Sequence, residues 1–191
     1  MKRFLSATIL SVMAAASHAA VATSQSYDKY SKATTITTGQ LKVADGTHGW
    51  LDPSFAKAWM SATVGKGGAI AYALNVYYYS GNGWSFFSSA KDSDGGDFEF
   101  AQVDRSIIMG DTISEQFLIV VKPDYLVAHQ ATGLDVKFYG KGREMIVAMP
   151  ADQLQAIAAA ATAAAGQVTS TSTSTADASS APASVAAASA P

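Results

Sequence analysis

Between Ile70 and Tyr79 every second residue is bulky: Ile70, Tyr72, Leu74, Val76 and Tyr78 alternate with Ala71, Ala73, Asn75, Tyr77 and Tyr79. Successive strand side chains point to opposite faces, so this run commits the chain to a long β-strand with one heavy face. A single strand is not stable in water, and its partners must come from the same sequence. Ser80-Gly81-Asn82-Gly83 is a turn cluster and Trp84 to Ala90 resumes in extended fashion, so 69–90 is expected to form a hairpin. Asp92 to Gly96 turns again, and a strand is expected from Asp97 to Ile107. After Gly110-Asp111, Thr112 to Val121 reads as a further strand, with Ile113, Phe117, Ile119 and Val121 on one side.

The period then changes. Pro123 suits a first helical turn, Tyr125, Leu126 and His129 follow at helical spacing, and Gly133 closes the segment, which predicts a short helix over 123–131. Leu134, Val136 and Phe138 alternate up to Gly140-Lys141-Gly142, and Met145, Val147 and Met149 alternate after it, a second hairpin. Pro150-Ala151-Asp152 opens a last helix with Leu154 and Ile157 inward and Gly166 as its stop. Towards the front, Thr34 to Val43 is rich in β-branched residues and reads as one strand. Leu51 to Met60, carrying Phe55 and Trp59, reads as a short helix. The fold class that follows is α+β and mainly antiparallel: a sandwich-like arrangement of six or seven strands with two or three short helices. No strand–helix–strand rhythm supports a doubly wound nucleotide-binding fold.

Residues 1–19 have the order of a secretory signal peptide. Met1-Lys2-Arg3 is basic, Phe4 to Ala16 is apolar or small, and Ser17-His18-Ala19 places small residues at a cleavage site. A periplasmic or secreted location is therefore expected. Removing Lys2 and Arg3 lowers the basic residues from 13 to 11 against 15 acidic ones, a formal charge of -4. That balance disfavours nucleic acid, whose phosphates need a surplus of Lys and Arg. The mature chain of about 170 residues allows one domain and a tail. It has no cysteine, so disulfides, thiolate metal sites and a lipid anchor on a leading cysteine are all excluded. No other segment is long and apolar enough to be a transmembrane helix. Residues 20–32 read as a polar leader, 33–166 as a single β-rich domain, and 167–191 as a disordered Ala/Ser/Thr/Pro tail that lacks the apolar bulk to offset its ordering entropy.

Three constellations bear on chemistry. Tyr77, Tyr79, Trp84, Phe86 and Phe87 crowd the expected 69–90 hairpin, and strand alternation forbids all of them from facing one core. An exposed aromatic strip of this kind marks a contact surface; the competing reading is that both faces are covered. Asp92, Asp94 and Asp97 surround a glycine turn, as oxygen ligands of calcium would, but the spacing departs from the EF-hand loop and Asp and Gly are also plain turn residues. The mature chain has two histidines, His48 and His129, so a periplasmic hydrolase is arithmetically open, yet no Gly-x-Ser-x-Gly elbow accompanies them. No catalytic residue and no cofactor beyond calcium is assigned on this basis.

The tail run from Thr169 to Thr175 and the ending Ala186 to Pro191 are of low complexity. The ending resembles the Ala-Ser-Pro acceptor segments of bacterial O-glycosylation, which would make Ser189 the modified hydroxyl. A wider resemblance runs through Tyr27-Asp28-Lys29-Tyr30, Val76-Tyr77-Tyr78, Trp84 to Ala90, Asp92-Ser93-Asp94-Gly95, Asp104-Arg105, Thr132-Gly133-Leu134 and Phe138 to Gly142. Across residues 27–157 the chain is similar to an uncharacterised group of small exported bacterial β-rich proteins, many of them lipoprotein-like. The resemblance implies a compact exported β domain and carries no catalytic residue. The function expected from the whole is a non-enzymatic binding or envelope-interaction module of unassigned partner.

Overall fold

The computed structural model of the 191-residue chain describes residues 21–43 and 54–176, with side chains described as far as 168. The segment read as a signal peptide, His48, most of the segment read as a tail, and Ser189 lie outside the described residues. The architecture is α+β and mainly antiparallel. A seven-stranded sheet holds β1 (Thr23–Asp28), β2 (Ala33–Thr38), β3 (Leu41–Val43), β4 (Phe55–Val64), β5 (Ile70–Ser80), β7 (Glu99–Met109) and β8 (Thr112–Val121). Its order is β1-β2-β4-β5-β8-β7, with β3 also pairing β4. A three-stranded sheet contains β6 (Ser89–Asp92), β9 (Leu134–Gly140) and β10 (Arg143–Met149) in the order β10-β9-β6. The helices are α1 (Pro123–His129) and α2 (Ala151–Ala176).

The alternating run becomes the centre of the large sheet. β5 pairs β4 on one side and β8 on the other, aligning Leu74 with Met60 and Ile119, and Val76 with Ala58 and Phe117. All of these are buried, together with Tyr78. Opposite them lie Phe87, Ala90, Val136, Phe138, Met145 and Val147 from the small sheet and the segment leading into it, and Leu154, Ile157, Ala161 and Ala164 along one stripe of α2. Phe117 is the hub: its ring centroid lies 4.9 Å from Phe87, 5.2 Å from Phe138 and 5.5 Å from Phe100. On the other face of the large sheet Phe55, Trp59, Asn75, Tyr77 and Tyr79 are half-buried, while Lys57, Thr63 and Ala71 are exposed. There Phe55 stacks on Tyr79 at 4.9 Å and 19° and lies 6.4 Å from Tyr77.

Several expectations change. The short helix over 51–60 is instead β4 from Phe55 onward: Ala56, Ala58, Met60, Ala62 and Val64 point inward in strict alternation. The single strand 34–43 breaks at Gly39 into β2 and β3, which pair successive stretches of β4. Part of the polar leader is ordered as β1, an edge strand whose six residues are all exposed, held by the β2 ladder and by Ser24 Oγ within 2.7 Å of Thr37 Oγ1. Gly166 does not stop the last helix, which runs to Ala176 and so takes in part of the segment read as a disordered tail; at 26 residues α2 is not short. The 69–90 hairpin does not form. Residues 84–88 leave the large sheet, and only Ser89–Asp92 is a strand, paired with β9. The β7–β8 hairpin, α1 and the β9–β10 hairpin form where periodicity places them.

Candidate functional site: a clamped aromatic loop

The loop that replaces the second arm of the expected hairpin is tied down by several hydrogen bonds from distant parts of the chain. Gly81-Asn82-Gly83 swings the chain off the end of β5, with Gly83 at φ +80°, a value that only glycine adopts freely. The backbone amides of Ser85 and Phe86 then donate to one oxygen, Glu115 Oε1, at 2.7 and 3.0 Å. Glu115 sits on β8 between Ile113 and Phe117, on the core face, and is fully buried. Its second oxygen accepts from Arg105 Nε at 3.2 Å across the β7–β8 register. Arg105 Nη2 donates onward to the Phe87 carbonyl at 3.1 Å, and its guanidinium lies 5.1 Å from the Phe86 ring centroid. The Ser85 carbonyl accepts the Lys141 amide at 2.6 Å, and the Ser88 amide donates to Tyr139 at 3.0 Å.

A buried carboxylate needs hydrogen-bonded partners to offset its desolvation. Here the partners are loop amides: both edges of β5 are already taken by β4 and β8, so 84–88 has no ladder to join there and its amides turn to the carboxylate instead. The loop also holds Phe86 at φ +51°, a left-handed conformation that costs a side-chain-bearing residue about 1–2 kcal/mol. Strain of this kind persists only where surrounding contacts over-determine it. The clamp turns Phe87 inward, edge-on to Tyr78 at 5.2 Å, and leaves Trp84 half-buried against Phe86 at 5.9 Å.

Between this loop and the tip of the β7–β8 hairpin lies a cleft of about 460 Å³. Gly81, Asn82, Gly83 and Trp84 form one wall; Ile107, Gly110 and Asp111 form the other, with buried Ile113 also lining it. Among the described residues, the side chains of Asn82 and Asp111 have no hydrogen-bond or ion-pair partner. Beside the cleft, Ile107, Ile108 and Met109 are more than half exposed.

The five aromatic residues expected to share one surface are thus divided. Tyr77 and Tyr79 lie on the outer face of the large sheet with Phe55, Trp84 and Phe86 belong to the loop, and Phe87 is core. The correction for Phe87 is physical: strand alternation no longer applies to a segment whose amides are held by a side chain. Glu115, Arg105, Asn82, Ile107 and Asp111 were missed as site residues.

The acidic turn serves its own backbone. Asp92 Oδ1 accepts the amides of Asp94 and Gly96 at 3.0 and 2.6 Å, and Asp97 pairs with Lys91 at 2.8 Å. Among the described residues no group of three or more His, Asp or Glu is placed to hold a metal ion. Burial first, then the charge of the nearby Asp92 carboxylate, push the Tyr125 phenol up to about 12. His129 stacks on Tyr125 at 4.1 Å and places Nδ1 2.8 Å from the Tyr125 carbonyl. It lines a separate cleft of about 300 Å³ with Ser93 and Asp135, to neither of which it is hydrogen-bonded.

No described helix is long and apolar enough to cross a membrane. Compared with known families, curated proteins and solved structures, the chain finds no match in any of the three.

Proposed function

We propose that the protein is an exported, non-enzymatic binding module of the bacterial envelope or its surroundings, and that its contact surface is the loop Gly81–Phe86 with the facing β7–β8 hairpin. One observation carries the reading. A fully buried glutamate is committed to holding an irregular loop in a strained conformation, and the loop presents Trp84 and Phe86 beside a cleft. Burying a charge to rigidify a surface loop adds little to a core that is already complete. It does reduce the ordering cost of binding, because the contact residues are fixed beforehand. The exposed Ile107, Ile108 and Met109 extend the same surface with apolar area. The amino-terminal leader supplies the address, and the cysteine-free core suits folding outside the cytoplasm without oxidation.

Co-sedimentation of the purified mature chain with isolated bacterial envelopes tests this. The wild type pellets with the envelopes, and the double variant Trp84→Ala/Phe86→Ala stays in the supernatant with its unfolding midpoint little changed. No pelleting of the wild type, or equal pelleting of both, overturns the proposal.

A further inference from the structure

We infer that the cleft between the loop and the β7–β8 hairpin is a saccharide subsite, with Trp84 as its platform and Asn82 and Asp111 as its hydroxyl-binding groups. The inference rests on the preceding reading of this loop as a contact surface and names what it contacts. Three features of the cleft select the ligand. Its aromatic wall is a single half-buried Trp whose ring is steadied by Phe86 at 5.9 Å. An indole face carries negative potential and attracts the weakly positive C–H face of a pyranose ring. Its polar groups are an amide and a carboxylate without partners among the described residues, and together they offer donors and acceptors to adjacent hydroxyls. The rest of its lining joins the glycines Gly81, Gly83 and Gly110 to the aliphatic side chains of Ile107 and Ile113, and a Cβ at Gly83 or Gly110 would meet nothing within 4 Å, so a ring can approach the backbone closely there.

The same chemistry disfavours other ligands. Among the described residues no lysine or arginine lines the cleft, and Asp111 would repel a phosphate or carboxylate. A purely apolar ligand would desolvate Asn82 and Asp111 without replacing their water hydrogen bonds. A quaternary ammonium would use Trp84 and Asp111 but would find one aromatic wall rather than a cage. A sugar has both an apolar face and a rim of hydroxyls, and the volume of about 460 Å³ lies within the range of small-molecule sites.

Isothermal titration of the mature chain with cellotetraose, maltotetraose, the β-1,4 tetramer of N-acetylglucosamine and choline chloride tests the inference. Saturable binding of at least one oligosaccharide is expected, weakened at least tenfold in Trp84→Ala and measurably in Asp111→Asn and Asn82→Ala. Denaturant unfolding of each variant confirms that it folds; should Trp84→Ala not fold, the two polar variants on opposite walls decide. Heat without saturation for all three oligosaccharides, binding untouched by the folded variants, or saturable binding of choline alone overturns the saccharide site. Envelope binding that depends on Trp84 and Phe86, with no oligosaccharide bound, overturns this inference and leaves the contact-surface reading standing.

Discussion

Replacing Glu115 by alanine is the perturbation that reaches deepest into this fold. Glu115 Oε1 accepts two amides, and both lose their acceptor at once. A buried amide left unpaired costs about 1–3 kcal/mol. Ser85 is buried, so its amide bears that cost in full, whereas Phe86 is 40% exposed and water recovers part of its share. The Arg105 side chain is 34% exposed and rehydrates, so the lost ion pair adds little. Glu115→Ala is therefore expected to destabilise by about 2–4 kcal/mol. Glu115→Gln keeps an oxygen for the two amides and loses only the charge assistance, which predicts about 1–2 kcal/mol. Guanidinium unfolding of wild type and both variants, followed by tryptophan fluorescence and far-ultraviolet circular dichroism, measures the difference. An alanine variant within about 0.5 kcal/mol of wild type, the level of an ordinary surface change, refutes the clamp. Equal losses for alanine and glutamine show that charge, not an amide acceptor, is what the loop needs.

Other positions test other parts of the account. Phe117→Ala removes the ring shared by Phe87, Phe100 and Phe138 and is expected to cost about 3–5 kcal/mol in the same unfolding assay. The folded-state phenol of Tyr125 is raised from 10.0 to about 12, so its stabilising contribution is whole below pH 10 and is lost as pH climbs towards 12. Thermal melting across that window should show a steeper alkaline decline for wild type than for Tyr125→Phe; parallel declines contradict the assignment. A Cβ at Gly140 would fall on the Ser85 carbonyl oxygen, so Gly140→Ala should loosen the 84–88 loop and expose the Trp84 indole, read as a red-shifted emission maximum and easier acrylamide quenching.

What was legible in the sequence is what carried contrast. In β5 and β9 large inward residues alternate with smaller or polar ones, and in α1 a proline and a glycine bracket the turn. β4 hid because its inward residues are chiefly Ala56, Ala58 and Ala62, while its large residues Phe55 and Trp59 point outward four apart, the spacing of a helical face. β1 hid for a related reason: all six of its residues are exposed and polar or aromatic, so no buried face marks it. Gly166 costs a helix interior only about 1 kcal/mol relative to alanine, and tertiary packing of the Leu154–Ala164 stripe overrides it. Trp84-Ser85-Phe86-Phe87 looked like a strand resuming after a turn, because nothing local shows that its amides are taken by a residue far along the chain. The signal was present at the other end. In β8 the inward row Ile113, Phe117, Ile119 and Val121 skips position 115, and a glutamate in that gap requires buried donors. The acidic turn shows the opposite case, since local Asp and Gly chemistry accounts for the backbone there without an added ligand.

Amide hydrogen exchange on the wild-type protein tests the central claim, a loop fixed in advance of binding by a buried carboxylate, most directly. The account predicts that the Ser85 and Phe86 amides exchange as slowly as those of β5, although neither lies in a strand ladder. Exchange of both amides at the rate of an exposed loop would contradict it.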